Sequence, residues 1–315
     1  MATSGSYNFN MTRNEIIKDA LITLGIVGIE QTVQAPDQVF AERALNRMIK
    51  EWQTSGARLW NRREGILFPA AEQIKYTVGA TDHITTTGDA VYTTLDADEA
   101  TSQTTLSVTS TSGFANSDNI GIELDDGTRQ WTTISSFVAD DTVTIATGLT
   151  SAAASGNSVY VYTNKINRPL EISEARRVSD ITGSTPTETS ITPLRHEQYF
   201  QISSKNTEGK VNSFYYDKTL SNGTLYIWPE PDNVDDVIKF TYTDTMEDFD
   251  ASTDNPDYPQ EWLSAIVTNL AYRLAYPYGR YQELPALKAM AEETYYHAMK
   301  WDSDDASFFI SPTTK

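Results

Sequence analysis

Two side-chain periodicities divide this chain into three parts, and they limit its fold more than any other feature. Apolar residues recur every three or four positions from Ile16 to Trp52 and again from Trp262 to Met299, as in amphipathic helices. Residues 58–250 are instead rich in Thr, Ser, Val, Tyr and Asp, and they read as strands. Each helix pair is too short to form a core alone. We therefore predict an α+β fold in which both pairs build one four-helix unit, with a β-rich domain between them.

Each N-terminal helix carries its own start and stop signals. Thr12 and Glu15 match a capping box, and Gly25 is a natural helix end. Pro36 suits the first turn of the second helix, and Gly56 its end. The predicted buried faces are Ile16, Ile17, Ala20, Leu21 and Leu24 in the first helix, and Val39, Phe40, Ala44, Leu45, Met48, Ile49 and Trp52 in the second.

The central β region is predicted to contain an inserted module over residues 81–163, a small β-barrel or sandwich. Its short strands are expected near 104–109, 118–125, 128–138, 142–147 and 157–164. The dipeptide Asp126-Gly127 between two of them is a strong hairpin signal. Within the last strand, period two places Val159 and Val161 opposite Tyr160 and Tyr162.

A second hairpin is predicted around Asn222-Gly223, followed by the stretch LYIWPEPD at residues 225–232. Leu225 and Ile227 should face one way, and Tyr226 and Trp228 the other. The prolines at 229 and 231 cannot donate ladder hydrogen bonds, so the strand must end there or lie on an edge. The next run, VIKFTYTD, is expected to return antiparallel.

Two helices resume near the C-terminus, from Pro259 to the stop at Pro277 and from Pro285 onward. Their predicted apolar stripes are Trp262, Leu263, Ile266, Val267, Leu270, Ala271 and Leu274, then Leu287, Met290, Ala291, Thr294, Tyr295, Ala298 and Met299. The predicted segments are 1–57 and 251–301 for the helices, 58–80 and 164–250 for the β domain, 81–163 for the module and 302–315 for an acidic tail.

Charge and composition exclude several classes of function. The formal net charge of −19 disfavours binding to DNA by broad phosphate neutralisation. The chain has no cysteine, which removes disulfides, thiolate nucleophiles and Cys-ligated metals. Neither a signal peptide nor an apolar run of membrane-spanning length is recognisable, so we expect synthesis in the cytoplasm and no membrane.

No catalytic motif or cofactor site is predicted from the sequence. Metalloprotease, Walker A, Rossmann and nucleophile-elbow patterns are absent, and His83, His196 and His297 lack ligand spacing. Four further residues, Asp250, Ser252, Asp254 and Glu261, match positions of a calcium loop, but Asn255 stands where the loop needs Gly. The pairs Arg62-Arg63 and Arg176-Arg177 could contact phosphate or form ordinary ion pairs.

The C-terminal helices contain more tyrosines than one helix face can bury. They are Tyr272, Tyr276, Tyr278, Tyr281, Tyr295 and Tyr296. Because tyrosine is enriched at protein interfaces, part of this set is predicted to contact another subunit, with internal packing as the alternative.

Four stretches in fixed order resemble one known family. They are ALNRMIKEWQTSGARLW, NGTLYIWPEPD, DFDASTDNPDYPQEW and LSAIVTNLAYRLAYPYG, of which WPEPD and PQEWL…NLAYRLAYPYG are the most specific. This combination resembles the head-to-tail adaptor proteins of short-tailed bacteriophages, also called tail accessory or packaged-DNA stabilisation proteins. The resemblance covers both helical ends and residues 190–245, whereas residues 81–163 depart from compact members of the family.

The resemblance implies a structural virion protein at the portal vertex, between head and tail. Such proteins form a ring, typically dodecameric, that joins the portal protein to a downstream nozzle or hub protein. The ring continues the channel for double-stranded DNA, without sequence readout, and helps to retain the packaged genome. It also implies that the C-terminal segment reaches towards the portal, with Trp301, Phe308, Phe309 and Ile310 as candidate docking anchors. A terminus that frays or folds back on its own subunit is the alternative.

Two other functions stay open. The first is a β-rich carbohydrate-binding or adhesion protein of the phage tail, whose module would display aromatic platforms. Against it, the module has few aromatic residues, of which Trp131 and Tyr160 are the main ones. The second is a glycan-cleaving enzyme with paired carboxylates, for which no acid/base motif can be located.

Overall fold

The computed structural model describes residues 5–54, 59–79 and 81–302 and shows a mixed α+β protein. Its helices are α1 (Arg13–Thr23), α2 (Ala35–Thr54), α3 (His196–Phe200), α4 (Leu263–Ala275) and α5 (Leu284–Trp301). Its strands are β1 (Arg62–Leu67), β2 (Lys75–Val78), β3 (Ile84–Thr86), β4 (Val91–Thr94), β5 (Thr105–Ser107), β6 (Asn119–Glu123), β7 (Arg129–Phe137), β8 (Thr142–Ile145), β9 (Ser158–Tyr162), β10 (Glu171–Ser179), β11 (Thr187–Pro193), β12 (Ser213–Asp217), β13 (Gly223–Trp228) and β14 (Asp236–Thr243).

The chain divides into two compact units. The helical unit joins the described residues up to Asn61 with those from Met246 onward, so it is built from both ends of the chain. The β unit is Arg62–Thr245. In sequence, the whole β unit is therefore a single insertion between two parts of the helical unit.

Helix α4 is the centre of the helical unit, because α1, α2 and α5 all pack against it. One hydrophobic cluster includes Leu21 of α1, Leu45 of α2, Leu270 of α4 and Ala298 of α5, all buried. At one side of this cluster the fully buried Trp262 lies 5.8 Å from the ring of Trp52. Burial of large aromatic side chains is a major source of stability, so residues more than 200 positions apart in the chain stabilise one core.

The start of α1 confirms the predicted capping box. The Glu15 amide donates to the Thr12 hydroxyl oxygen, and the Thr12 amide donates to the Glu15 carboxylate. Gly25 follows the helix with a φ of +65°, a conformation that glycine adopts without strain. The predicted face of α2 is wrong at its first turn, where Val39 and Phe40 are exposed. The buried stripe begins with Ala41 instead, because only the later turns of α2 meet the core.

The first sheet of the β unit has eight strands in the order β2-β13-β12-β11-β10-β14-β1-β3. Strands β12 and β13 form the predicted hairpin, and Leu225 and Ile227 enter the core on one face. The tight turn expected at Asn222-Gly223 is not formed, because residues 218–222 make a longer connection and Gly223 already belongs to β13. The segment VIKFTYTD is an antiparallel strand as predicted, but its neighbours in the sheet are not the strands next to it in sequence. This segment, β14, does not return beside β13 but lies between β10 and β1, antiparallel to both.

Strand β13 ends at Trp228, as the two prolines predict. The Trp228-Pro229 peptide bond is cis, and the Trp228 indole donates to the Ser204 carbonyl at 3.1 Å. After the proline, Glu230 forms a parallel bridge with Glu208. The WPEPD segment is thus a buried exit from the sheet with specific backbone partners.

The second sheet is a six-stranded module in the order β4-β9-β6-β7-β8-β5. Its two edge strands approach one another, because the Asp96 amide donates to the Ser107 carbonyl at 3.0 Å and the Thr109 amide donates to the Thr94 carbonyl at 2.9 Å. These bonds nearly close the sheet into a barrel around a core that contains Val159. The turn at Asp126-Gly127 is present between β6 and β7. The short strands β2, β3 and β4 were not predicted individually.

The barrel packs on the eight-stranded sheet through aromatic side chains. Tyr160 and Tyr162 point out of the barrel and pack with Phe68, Val178 and Val237 of the larger sheet. This face is opposite to Val159 and Val161, as the sequence predicts, but both faces of β9 are buried. The barrel is therefore fixed to the sheet.

Candidate functional site

The six tyrosines that the sequence singled out separate into two groups. Tyr272, Tyr278 and Tyr295 pack against the helical core, and the Tyr295 ring lies 5.0 Å from that of Trp52. Tyr276, Tyr281 and Tyr296 are exposed, with 66%, 57% and 65% of their surface accessible. Half of the set is thus explained by internal packing, and the other half is free to contact a partner.

Two loops of the helical unit are joined where α1 ends, α2 begins and α4 ends. The Tyr278 hydroxyl donates to the Asp37 carboxylate at 2.7 Å, and the Tyr278 ring lies edge-on to Phe40 at 6.2 Å. The Arg280 guanidinium donates to the Gly25 carbonyl at 2.9 Å. Burial raises the pKa of Tyr278, and the hydrogen bond and negative charge of Asp37 raise it further. The phenol therefore remains a neutral donor across the physiological range.

These joined loops and the adjoining start of α2 carry exposed apolar side chains, which we call the loop-end surface. Tyr276 and Tyr281 pack edge-to-face, with ring centroids 5.2 Å apart. Ile29 is 77% exposed, Val39 47% and Phe40 37%. Ile29 lies between α1 and α2, Val39 and Phe40 lie in α2, and the two tyrosines follow α4. Exposed large apolar side chains in this number on contacting segments are typical of a protein interaction site. The loop-end surface is defined as Ile29, Val39, Phe40, Tyr276 and Tyr281.

Helix α5 exposes apolar side chains as well. Met290 is 41% exposed and Tyr296 is 65% exposed. At the end of the helix Trp301 is 53% exposed, whereas the next residue, Asp302, is buried and accepts a hydrogen bond from the Trp60 amide at 3.4 Å. The other predicted docking anchors, Phe308, Phe309 and Ile310, lie outside the described residues.

An irregular segment before α1, neither helix nor strand, was not predicted from the sequence. In residues 5–11, which we call the N-terminal arm, Tyr7 is 90% exposed and Phe9 is 69% exposed. Met11 packs partly against the helical core and fixes the base of the arm. The alternation of Tyr7, Phe9 and Met11 with small polar residues is the signal that could have indicated it, because alternate side chains of an extended chain share a face.

The module does not display Trp131 and Tyr160, which corrects the expectation of a glycan platform there. Tyr160 is fully buried, and its hydroxyl donates to Glu123 at 2.6 Å. Trp131 stacks on His83 of the larger sheet, with ring centroids 3.9 Å apart. Burial lowers the pKa of His83 to about 3, assisted by the charges of Lys165 and Arg129. His83 is therefore neutral at physiological pH and has a packing role.

The exposed aromatic group of the β unit lies elsewhere, on β12, β13 and α3. Tyr199 and Tyr226 both stack beside Tyr215, at 5.7 Å in each case. His196 and Phe200 continue the group along α3, and Phe200 is 74% exposed.

One cleft on the eight-stranded sheet contains three carboxylates, and the best paired of them is Glu188. The cleft, of about 160 Å³, includes Glu64, Glu174, Arg176, Glu188 and Lys239. Glu188 binds Lys239 and Arg176, each at 3.3 Å, and its pKa is lowered, chiefly by the hydrogen bond from Lys239. A glycosidase acid needs the opposite shift. The cleft does not fit the glycan-cleaving hypothesis.

Three of the four paired arginines form ion pairs. Arg63 lies 3.3 Å from Asp244, and Arg177 lies 3.2 Å from Asp236. Arg176 binds Glu188, as described above, and Arg62 is exposed. These contacts favour the structural interpretation of both pairs over a phosphate site.

The segment from Asp250 to Glu261, which partly matches a calcium-binding loop, has a structural role. The Asp254 carboxylate accepts from the amides of Asp250 and Ala251, and the Asp254 carbonyl accepts from the Arg13 amide at 2.7 Å. The segment is a turn that holds the start of α1. Across residues 5–54, 59–79 and 81–302, no group of three or more acidic or histidine side chains is arranged to hold a metal.

Within the same described residues, no helix is both long and apolar enough to cross a bilayer. No known protein-family model matches the chain, and a comparison with curated proteins finds no relative. Function must therefore be argued from the surfaces described above.

Proposed function

We propose that this chain is a structural, non-enzymatic subunit of a head-to-tail adaptor ring in a short-tailed bacteriophage virion. The helical unit acts as a four-helix ring body, and copies associate side by side around a central channel. The ring, dodecameric by resemblance, joins the portal protein to a downstream nozzle or hub protein, continues the DNA channel and helps to retain the packaged genome. The protein is made in the host cytoplasm and ends at the portal vertex.

The observation that carries this proposal is the helical unit itself. Residues 13–54 and 263–301 share one core. Two of the four stretches that resemble the adaptor family lie in helices of this core, α2 and α4. The unit also exposes large aromatic side chains on two joined loops, on α5 and on the N-terminal arm. A subunit of a closed ring needs two different complementary surfaces, and a helical unit with several separate aromatic surfaces meets that need.

The net charge supports the same function. At −19 per copy, a ring of twelve carries roughly −230 before local pairing, so a channel wall of that sign repels DNA phosphates. DNA can then slide through the channel without adsorbing to the wall. Any contact between copies must overcome the same repulsion, and it is best made by uncharged surfaces.

Binding to the portal is the direct test of this proposal. The chain is mixed with the purified portal ring from the genome that encodes it, and the complex is isolated by size-exclusion chromatography. We expect multiple copies to elute with each portal ring. A variant truncated after Asp302 removes Phe308, Phe309 and Ile310 and should bind more weakly, and Trp301→Ala tests the one described anchor. Elution of the full-length chain only as a free subunit would contradict the proposal.

A carbohydrate-binding or adhesion function is the second candidate, and one observation favours it. In the aromatic group of β12, β13 and α3, His196 and Phe200 are exposed, Tyr215 and Tyr226 are half-buried, and Tyr199 is buried beneath them. Lys205 lies over the Tyr199 and Phe200 rings. Exposed aromatic rings with neighbouring polar groups can stack on sugars. A glycan array should then give signals that are lost in Phe200→Ala, whereas the adaptor proposal predicts no glycan signal.

A further inference from the structure

The N-terminal arm presents apolar surface that its own subunit does not cover. Tyr7 and Phe9 are the two most exposed aromatic residues of the helical unit's first fifty residues, at 90% and 69%. The arm is nevertheless anchored, since Met11 packs on the core and Thr12 caps α1. An anchored segment with two exposed aromatic rings is suited to a groove on another molecule.

The loop-end surface has complementary character. Its five side chains are apolar or aromatic, and the hydrogen bonds of Tyr278 to Asp37 and of Arg280 to Gly25 hold its two loops together. Because these bonds fix the loops in advance, binding does not have to order them. The polar groups of Asp37 and Arg280 are already satisfied within the subunit.

The N-terminal arm and the loop-end surface lie at opposite ends of α1. The arm leaves before Arg13, and Gly25, which Arg280 contacts, follows the last turn. Eleven residues of helix separate them by about 16 Å. A contact between two different surfaces of identical subunits is heterologous, and it propagates from copy to copy until a ring closes.

The distribution of charge favours a second copy of this chain as the molecule that binds the arm. Residues 5–11, GSYNFNM, contain no charged side chain, and the five residues of the loop-end surface contain none either. Two chains of net charge −19 repel each other, so contacts between copies are least unfavourable where both surfaces are neutral. The uncharged arm of one acidic copy can therefore bind the uncharged loop-end surface of another copy with the least electrostatic repulsion.

We propose that the N-terminal arm of each copy docks on the loop-end surface of the next copy. Tyr7 and Phe9 insert against Ile29, Val39, Phe40, Tyr276 and Tyr281 of that neighbour. This inference rests on the proposed ring, and it assigns the contact that holds the ring together. It is separate from the portal contact of the C-terminal segment.

The first test compares two variants in which exposed aromatic or apolar residues become serine. Tyr7→Ser/Phe9→Ser removes the arm's side chains, and Leu220→Ser/Val138→Ser removes side chains of the β unit that are 94% and 57% exposed. Neither pair contributes to a core, so circular dichroism should be unchanged. Sedimentation velocity, with and without the portal ring, should show self-association weakened at least about tenfold in the arm variant and unchanged in the control.

The second test uses the absence of cysteine from the chain. With a short bismaleimide crosslinker, Tyr7→Cys/Tyr281→Cys should give a ladder of linked copies. A mixture of the two single variants should stop at dimers, because each copy then has one reactive end. Tyr7→Cys/Leu220→Cys is the control and should give no ladder.

The outcomes separate this inference from the function on which it rests. Suppose that the wild-type chain forms a ring on the portal. The arm contact alone is then overturned if the Tyr7→Ser/Phe9→Ser variant assembles equally well, or if only the Tyr7→Cys/Leu220→Cys control gives a ladder. A wild-type chain that stays a single subunit with and without the portal overturns both. Loss of assembly in the arm variant together with the Tyr7–Tyr281 ladder supports the inference.

Discussion

Arg129 offers the sharpest prediction about what holds the β unit together. Its side chain is 1% exposed and lies 3.0 Å from the Glu123 carboxylate within the barrel. The guanidinium also donates to the carbonyls of Pro69 and Val234 of the larger sheet and lies 4.4 Å from the ring centroid of Tyr160. One buried cation thus connects the barrel to the sheet.

We expect Arg129→Met to lower the free energy of unfolding by about 3–5 kcal/mol, because it leaves the Glu123 carboxylate buried without its partner. Arg129→Met/Glu123→Gln removes both charges, and it should recover at least about half of that loss. The matched control is Arg176→Met on the larger sheet. Arg176 is 57% exposed and pairs with Glu188 at a similar distance, 3.3 Å, so its loss should cost no more than about 1 kcal/mol.

The assay is equilibrium urea unfolding followed by circular dichroism and by tryptophan fluorescence, to which Trp131 at the barrel–sheet contact is one of six contributors. The midpoint and slope of each variant give the change in free energy. The reasoning would be refuted if Arg129→Met and Arg176→Met had equal effects, or if the double variant were less stable than Arg129→Met.

Three other predictions concern the two cores and one helix cap. Trp262→Ala should cost about 3–5 kcal/mol, measured by urea unfolding, because this fully buried ring packs on Trp52 from the other end of the chain; a cost below about 1 kcal/mol would contradict the shared core. Thr12→Ala should cost about 1 kcal/mol and Thr12→Ser almost none, as judged by thermal unfolding, since only the hydroxyl accepts the Glu15 amide. For His83 the folded pKa of about 3 lies below the ordinary value of 6.5, so the unfolded chain binds the extra proton between these values. Stability should then fall as pH drops below 6.5, by at most about 1.4 kcal/mol per pH unit, and His83→Gln should show a shallower fall in unfolding experiments from pH 7 to pH 5.

Local signals in the sequence were reliable where one or two residues decide the structure. The capping box at Thr12 and Glu15 and the turn at Asp126-Gly127 are both present. The cap needs only two residues three positions apart, and Gly127 has a φ of +81°, which few other residues adopt, so tertiary contacts cannot easily override either signal. At Asn222-Gly223 the hairpin is present, but a longer connection replaces the tight turn.

Long-range pairing could not be predicted in the same way. Strand β14 follows β13 in sequence but lies between β10 and β1, because its apolar face joins the core built by those strands. Strands β2, β3 and β4 have only three or four residues each, too few for a clear period-two pattern.

Which side chains of the candidate surfaces are exposed could not be predicted from the sequence either. The abundance of tyrosine indicated an interface, but periodicity alone could not separate the packed Tyr278 from the exposed Tyr276 two positions away. Arg129 and Glu123 flank the predicted hairpin at Asp126-Gly127, and nothing in the sequence indicated that both side chains are largely buried. Exposure depends on which other element covers a residue, and that information is not local.

Electron microscopy of the chain bound to its portal ring tests the central claim most directly. We predict a closed ring of copies around a central hole wide enough for duplex DNA, with the helices of each copy in contact with those of the next. Isolated subunits scattered on the portal without mutual contact, or no bound density at all, would contradict the account.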